Sequence, residues 1–226
     1  MNRFEPQLRI LPLAQQQLWP SLACLRQAGF VLYGGTAIAL RYGHRVSVDF
    51  DFFNSSPLDR SFLEAQLPWL QQAEVLQDQP ESLTVLSASC AGQPAVKVSF
   101  FGDLRFGRVA DPACTADGVA LVASPLDLLA TKLKVLLQRA ERKDYDDVAV
   151  LLGSGLQLAD GLGAARALFG AGFPISECLK ALVYFSDGDV ADLPSGVRRN
   201  LEAAVLEIEA IPALARLATS LSPAMG

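Results

Sequence analysis

Residues 33–53 read YGGTAIALRYGHRVSVDFDFF, and two patterns inside this stretch decide how the whole chain is read. Just before it, Phe30-Val31-Leu32 runs into Tyr33 as a short, wholly apolar segment, which predicts a buried strand ended by Gly34-Gly35. Thr36 predicts the cap of a short helix reaching Arg41, and Gly43 its stop. Val46 to Phe53 alternates and predicts a second strand. Successive strand side chains face opposite sides, so Ser47, Asp49 and Asp51 share one face while Val48, Phe50 and Phe52 share the other. The apolar face is expected in the core. The two carboxylates then stand about 7 Å apart on the open face.

Two carboxylates that close repel one another, and a divalent cation is the common remedy. Upstream, Gly34 and Gly35 let backbone N–H groups approach a phosphate, and the helix N-terminus adds a favourable dipole. A phosphate cradle beside a carboxylate pair is what metal-assisted nucleotidyl transfer requires, with Mg2+ or Mn2+ bridging phosphate and protein. Singly, a glycine pair is an ordinary turn and Asp-x-Asp an ordinary solvated strand face. Their joint occurrence carries the inference. The planar fork of Arg45 suits a phosphate, or else an ion pair with one of the aspartates. His44 is the only histidine of the chain.

Working outward, residues 7–28 show helical spacing broken at Pro20, and Asn54-Ser55-Ser56-Pro57 is a turn before a helix over 58–72. Strands are expected over 82–89 and 95–101, joined by the turn Ala91-Gly92-Gln93-Pro94, with a short strand near 119–122. From Ser124 the pattern is helical only. Ser124-Pro125-Leu126-Asp127 combines a capping serine, proline at the first position and an early acid. The expectation is an α+β fold: a core domain over 1–122 with a small mixed sheet, then a helical domain over 123–226. On the helix from Ser124, Lys132 and Arg139 share a face beside a leucine stripe, and Asp144 and Asp147 lie three apart on the next helix. By spacing alone these charges read as a solvated face with helix pairs.

The 226 residues are 51% apolar and 19% charged, a globular composition. No uninterrupted apolar run reaches the roughly 18 residues of a membrane span, and the N-terminus lacks a signal-peptide core, so a cytoplasmic protein without membrane attachment is expected. The net charge of −5 argues against a broad nucleic-acid-coating surface. Cys24, Cys90, Cys114 and Cys178 are scattered without zinc spacing and read as reduced, mostly buried thiols.

The glycine-threonine and Asp-x-Asp segment resembles the first motif of the AbiEii/AbiGii toxin-type nucleotidyltransferases, a branch of the DNA polymerase β-like superfamily. Gly34, Gly35, Thr36, Leu40, Arg45, Ser47, Asp49 and Asp51 match that pattern. Lys132 to Arg139, and Lys143-Asp144-Tyr145-Asp146-Asp147, are similar to the family's later motifs, as is Ala181 to Asp189. The resemblance implies a polymerase β-like fold and transfer of a nucleoside monophosphate from an NTP to an acceptor hydroxyl. The acceptor would be a tRNA 3′ end or another RNA or protein. It implies a type IV toxin–antitoxin role with a winged-helix antitoxin as partner. It assigns Asp49, Asp51, Lys132 and Asp144 to catalysis, Asp49 and Asp51 also to metal, and Gly34, Gly35, Thr36, Arg45, Ser47 and Arg139 to the nucleotide. Such enzymes usually add a third carboxylate from a neighbouring strand, and the expected position holds Ser99. A nucleotide-binding regulatory or partner-binding module without turnover, on the same fold, is the alternative.

Overall fold

The structure, a computed structural model, describes residues 2–89 and 92–223. The chain forms two compact units: one made of residues up to Gly107, Asp111–Ala123 and the chain from Ala218, the other of Arg108–Ala110 and Ser124–Leu217. The first unit therefore differs from a simple N-terminal half, because it also takes in the last stretch of chain. Leu221 is buried there, its N–H bonded to Ser55 Oγ at 2.8 Å.

An eight-stranded mixed sheet builds the first unit, from β1 (Arg3–Phe4), β2 (Val31–Tyr33), β3 (Asp49–Phe53), β4 (Glu74–Gln79), β5 (Ser82–Leu86), β6 (Lys97–Phe101), β7 (Ala113–Thr115) and β8 (Leu121–Val122). Its order is β1-β7-β8-β2-β3-β6-β5-β4. The central pair β2–β3 is antiparallel, and β3–β6 is parallel with Asp49 opposite Lys97 and Asp51 opposite Ser99. Strand parity sorts the aromatics. Phe50, Phe52 and Phe100 stack in a row with Trp19 and Phe30 at its ends, all buried. On the carboxylate side, Phe53 stacks on Tyr33 at 4.8 Å and meets Phe101 and Phe106 edge-on. Burying this many rings supplies much of the driving force for the sheet, at roughly 25 cal/mol per Å2 of apolar surface.

Several elements depart from the sequence expectations for identifiable reasons. The helical stretch over 7–28 is broken into α1 (Leu13–Leu18), a 3-10 segment Trp19–Ala23 and α2 (Cys24–Gln27). Pro20, with no N–H to donate, sits at the start of that 3-10 segment. The strand expected from Val46 begins only at Asp49, so Val46 and Val48 are both 58% exposed instead of joining the core. The helix expected over 58–72 is α4 (Arg60–Gln66), capped by Asp59, followed by a 3-10 segment that starts at Pro68. Strand β4 was not anticipated. It is exposed along its length on the sheet edge and carries an irregularity between Val75 and Gln77, so it shows no period-two apolar signal. The 82–86 and 97–101 strands pair antiparallel as expected; the turn proposed between them includes Ala91, which lies outside the described residues, as does Cys90.

The second unit is helical: α5 (Pro125–Leu136), α6 (Arg142–Gly153), α7 (Leu158–Phe169), α8 (Ile175–Leu182) and α9 (Ser195–Leu206). Ser124 caps α5 as expected, accepting from the Asp127 N–H at 3.0 Å. Leu129 and Leu133 pack where Gly161 has no side chain, which lets α7 approach α5 closely. Among the described residues no single helix is long and apolar enough to cross a membrane. Cys114 and Cys178 are buried free thiols and Cys24 is partly exposed. Burial pushes the Cys178 thiol up to about 12.

Candidate active site

Helix α3 (Gly34–Tyr42) starts directly where β2 ends, and this junction positions the glycine motif. Tyr33, in extended backbone, is the last residue before the helix. Gly34 has φ +73°, a left-handed conformation that disfavours any side chain. A Cβ there would also collide with the Asp51 carboxylate, and a Cβ on Gly35 would collide with the Arg45 guanidinium. Both glycines thus make room for the charged groups of the motif. At the other end Gly43, φ +62°, closes the helix with its N–H on the Ala39 carbonyl at 2.8 Å, as the sequence suggests.

Thr36 does not cap the helix; it lies inside its first turn. Its hydroxyl bonds both the Asp49 carbonyl and, at 2.9 Å, Ser47 Oγ. A hydroxyl has one proton, so Thr36 donates to the carbonyl and accepts from Ser47. The reason is topological. Strand β2 stops opposite Asp51, leaving the Asp49 carbonyl without a β2 partner, and the buried Thr36, itself bonded to Ser47, supplies the missing donor. The pair tethers the start of β3 to the start of α3.

Asp49 and Asp51 emerge on one face of β3, both half-buried, with Phe50 and Phe52 fully buried on the other. Asp49 forms an ion pair with Lys97 on β6, Nζ to Oδ2 3.2 Å. Ser99, opposite Asp51, is buried and hydrogen-bonded to Thr84 Oγ1 at 3.2 Å. Asp103, two steps further along, lies beyond β6 at φ +49° and binds Arg105 at 2.8 Å. Among the described residues no group of three His, Cys, Asp or Glu is arranged to hold a metal ion. The acceptors present are a dicarboxylate, which suits a cation that completes its coordination with phosphate oxygens.

In the second unit Lys132, Asp144 and Asp147 come together in the interior, which corrects the solvated-face reading. Lys132 Nζ lies 2.7 Å from both Asp144 Oδ1 and Asp147 Oδ2, and the two carboxylates are fully buried. Arg139, half exposed, adds its guanidinium to Asp144 at 2.8 and 3.3 Å. Burial pushes the Asp144 carboxyl up, but the hydrogen bonds and charges of Arg139 and Lys132 outweigh it and hold the group below its ordinary range. Nearby, Tyr145 donates to the Ala181 carbonyl and Asp189 accepts from the Arg142 N–H, so the 181–189 segment braces the start of α6.

Lys97 is the charged neighbour that sequence reasoning missed. The signal was there: if Ser99 stands opposite Asp51 in a parallel pair, Lys97 must stand opposite Asp49.

The profile of the family described as nucleotidyl transferase AbiEii toxin, type IV TA system, matches residues 25–179. An uncharacterized protein of Aquifex aeolicus strain VF5 is 30% identical over 161 residues, 70% of this chain and 74% of that protein. A crystal structure of a protein from H. pylori, described as a candidate nucleotidyltransferase, superimposes with a TM-score of 0.57 at 16% identity, covering 85% of this chain and 92% of that one. The last likeness speaks for the fold alone, the α+β architecture of a nucleotidyltransferase. With the family profile spanning well over half of its length, the chain belongs to the AbiEii nucleotidyl transferase toxin family of type IV toxin–antitoxin systems.

Proposed function

We propose that this protein transfers a nucleoside monophosphate from an NTP to an acceptor hydroxyl, with a divalent cation, Mg2+ or Mn2+, held by Asp49 and Asp51. The observation that carries the reading is the junction at Gly34: a side-chain-free helix start set directly against the Asp51 carboxylate. The first N–H groups of α3 have no helical acceptor and suit phosphate oxygens, which explains roles for Gly34, Gly35 and Thr36. Arg45 and Ser47 line the same start of the strand, Arg45 as a phosphate fork and Ser47 through its bond to Thr36. When bound, the cation would neutralise charge on the phosphates and on the departing pyrophosphate.

Lys132, Arg139 and Asp144 are given a share in the reaction by the family motifs. Their geometry favours Asp144 as a positioning residue that fixes Lys132 and Arg139, since it is fully buried and bonded to both. A tRNA 3′ end as acceptor and a winged-helix antitoxin as partner extend this reading.

The test is incubation of the protein with Mg2+, each labelled NTP and total RNA. Incorporation that vanishes in Asp49→Asn and Asp51→Asn is the expected result; incorporation that persists in both variants refutes the assignment. A second reading is favoured by Ser99, a neutral residue where a third carboxylate is usual: nucleotide binding without turnover. Binding of an NTP with no incorporation into RNA or protein would select it.

A further inference from the structure

Two features of β6 bear on how the carboxylate pair is charged. Opposite Asp51 stands a neutral, buried hydroxyl, Ser99, tied to Thr84. Opposite Asp49 stands an ammonium, Lys97, at 3.2 Å. Where polymerase-like sites concentrate negative charge, this strand supplies a positive one. The side chains of Lys97 and Asp49 are 39% and 33% exposed, so the pair is held without being sealed. Arg45, packed over Gly35, adds a second positive group to the same motif. The carboxylate pair is therefore offset by one ammonium on Asp49, with a guanidinium beside the adjoining glycine.

That balance has an electrostatic consequence. A divalent cation arriving alone gains attraction from Asp49 and Asp51 but meets repulsion from Lys97, and it competes with the ammonium for Asp49. A triphosphate arriving with the cation brings several negative charges and offers the displaced ammonium a new partner. Lysine suits this exchange, because its point charge on a flexible stem needs no fixed geometry.

We propose that Lys97 is a resident counter-cation: it neutralises Asp49 before ligands bind, then moves to the nucleotide phosphates when metal takes the carboxylate, so that metal and nucleotide bind as a pair. The proposal rests on the nucleotide reading of the site and adds a positioning residue that the family motifs do not include.

Mn2+ binding to the full chain, followed by electron paramagnetic resonance of the free ion, and NTP binding in the presence of Mg2+, followed by calorimetry, test it. Lys97→Met is expected to tighten Mn2+ binding about two- to fivefold, the worth of a partly exposed ion pair. The same change is expected to weaken NTP binding about tenfold, the lower range for a charged hydrogen bond. Lys97→Arg should keep both affinities near wild type, and Lys97→Gln substitutes for the methionine variant if that one fails to fold. Changes of opposite sign distinguish this role from a structural one, which would weaken both. Unchanged or weakened Mn2+ binding overturns the proposal, and so does tightened Mn2+ binding with NTP affinity untouched. If no NTP binds the wild-type protein, the nucleotide reading fails, while the Mn2+ comparison still reports whether Lys97 competes for Asp49.

Discussion

At Gly34 two constraints coincide, a left-handed backbone and a carboxylate occupying the space of a side chain. Gly34→Ala should therefore cost about 1–3 kcal/mol in chemical denaturation, the usual range for such strain, and should also push Asp51 aside. Mn2+ binding should fall with it; a variant of wild-type stability and wild-type Mn2+ affinity would contradict the geometry. Thr36 offers a complementary test through its hydroxyl alone. Thr36→Val keeps the shape but leaves the Asp49 carbonyl without its donor, for a loss of about 1–3 kcal/mol in thermal or urea unfolding. The glycines and the aspartates were legible in the sequence because their residue types admit few other uses at that spacing. The partner of Thr36 was not, since capping and tethering place the same residue at the same step of the chain.

Helices α5 and α6 share a charge cluster whose cost and benefit can be separated. Lys132→Met removes the ammonium shared by the buried Asp144 and Asp147, leaving Arg139 on Asp144, and should destabilise the protein by about 3–5 kcal/mol. Arg139→Ala removes a half-exposed partner and should cost less. The pH dependence follows from the depressed carboxyl of Asp144. An acid whose folded pKa lies below the ordinary 3.8 contributes stability above that pH, and the contribution is lost as pH falls through the folded value. Urea unfolding measured across that acidic window should show a falling midpoint, with a shallower fall in Asp144→Asn. An identical slope in the two proteins would contradict the assignment. The sequence marked these charges and their helices correctly, and Ser124 marked the start of α5. It could not show that the charged face turns inward, because three-residue spacing places Asp144 and Asp147 together whether that face meets water or protein. Strand β4 was illegible for the opposite reason: all six of its residues are exposed, so nothing in its pattern records a buried side.

For the molecule as a whole, residues 218–223 belong with the first unit and not with the helices that precede them. Their role is local packing in the first unit: Leu221 is buried, Ala218 lies where Gly107 has no side chain, and Ser222 lies beside Gly29. Removing residues 218–226 should lower the melting temperature by several degrees, since burial of a leucine alone is worth about 1.5–3 kcal/mol. A truncated protein with an unchanged melting temperature would show that the segment is dispensable. A change from mixed to helical patterning is visible in the sequence near 122, whereas the return at Ala218 has no periodic signal at all.

That return sets an order of events during synthesis. A ribosome delivers residues 124–217 before Ala218 to Ser222, so the helical unit has its full sequence first. The unit bearing Gly34, Asp49 and Asp51 receives Ala218 to Ser222 only after the helical unit has been made. A nascent chain thus carries the whole glycine and aspartate motif long before it carries the segment that packs beside it, and a chain that has emerged as far as Ser222 is the first in which that unit has this support.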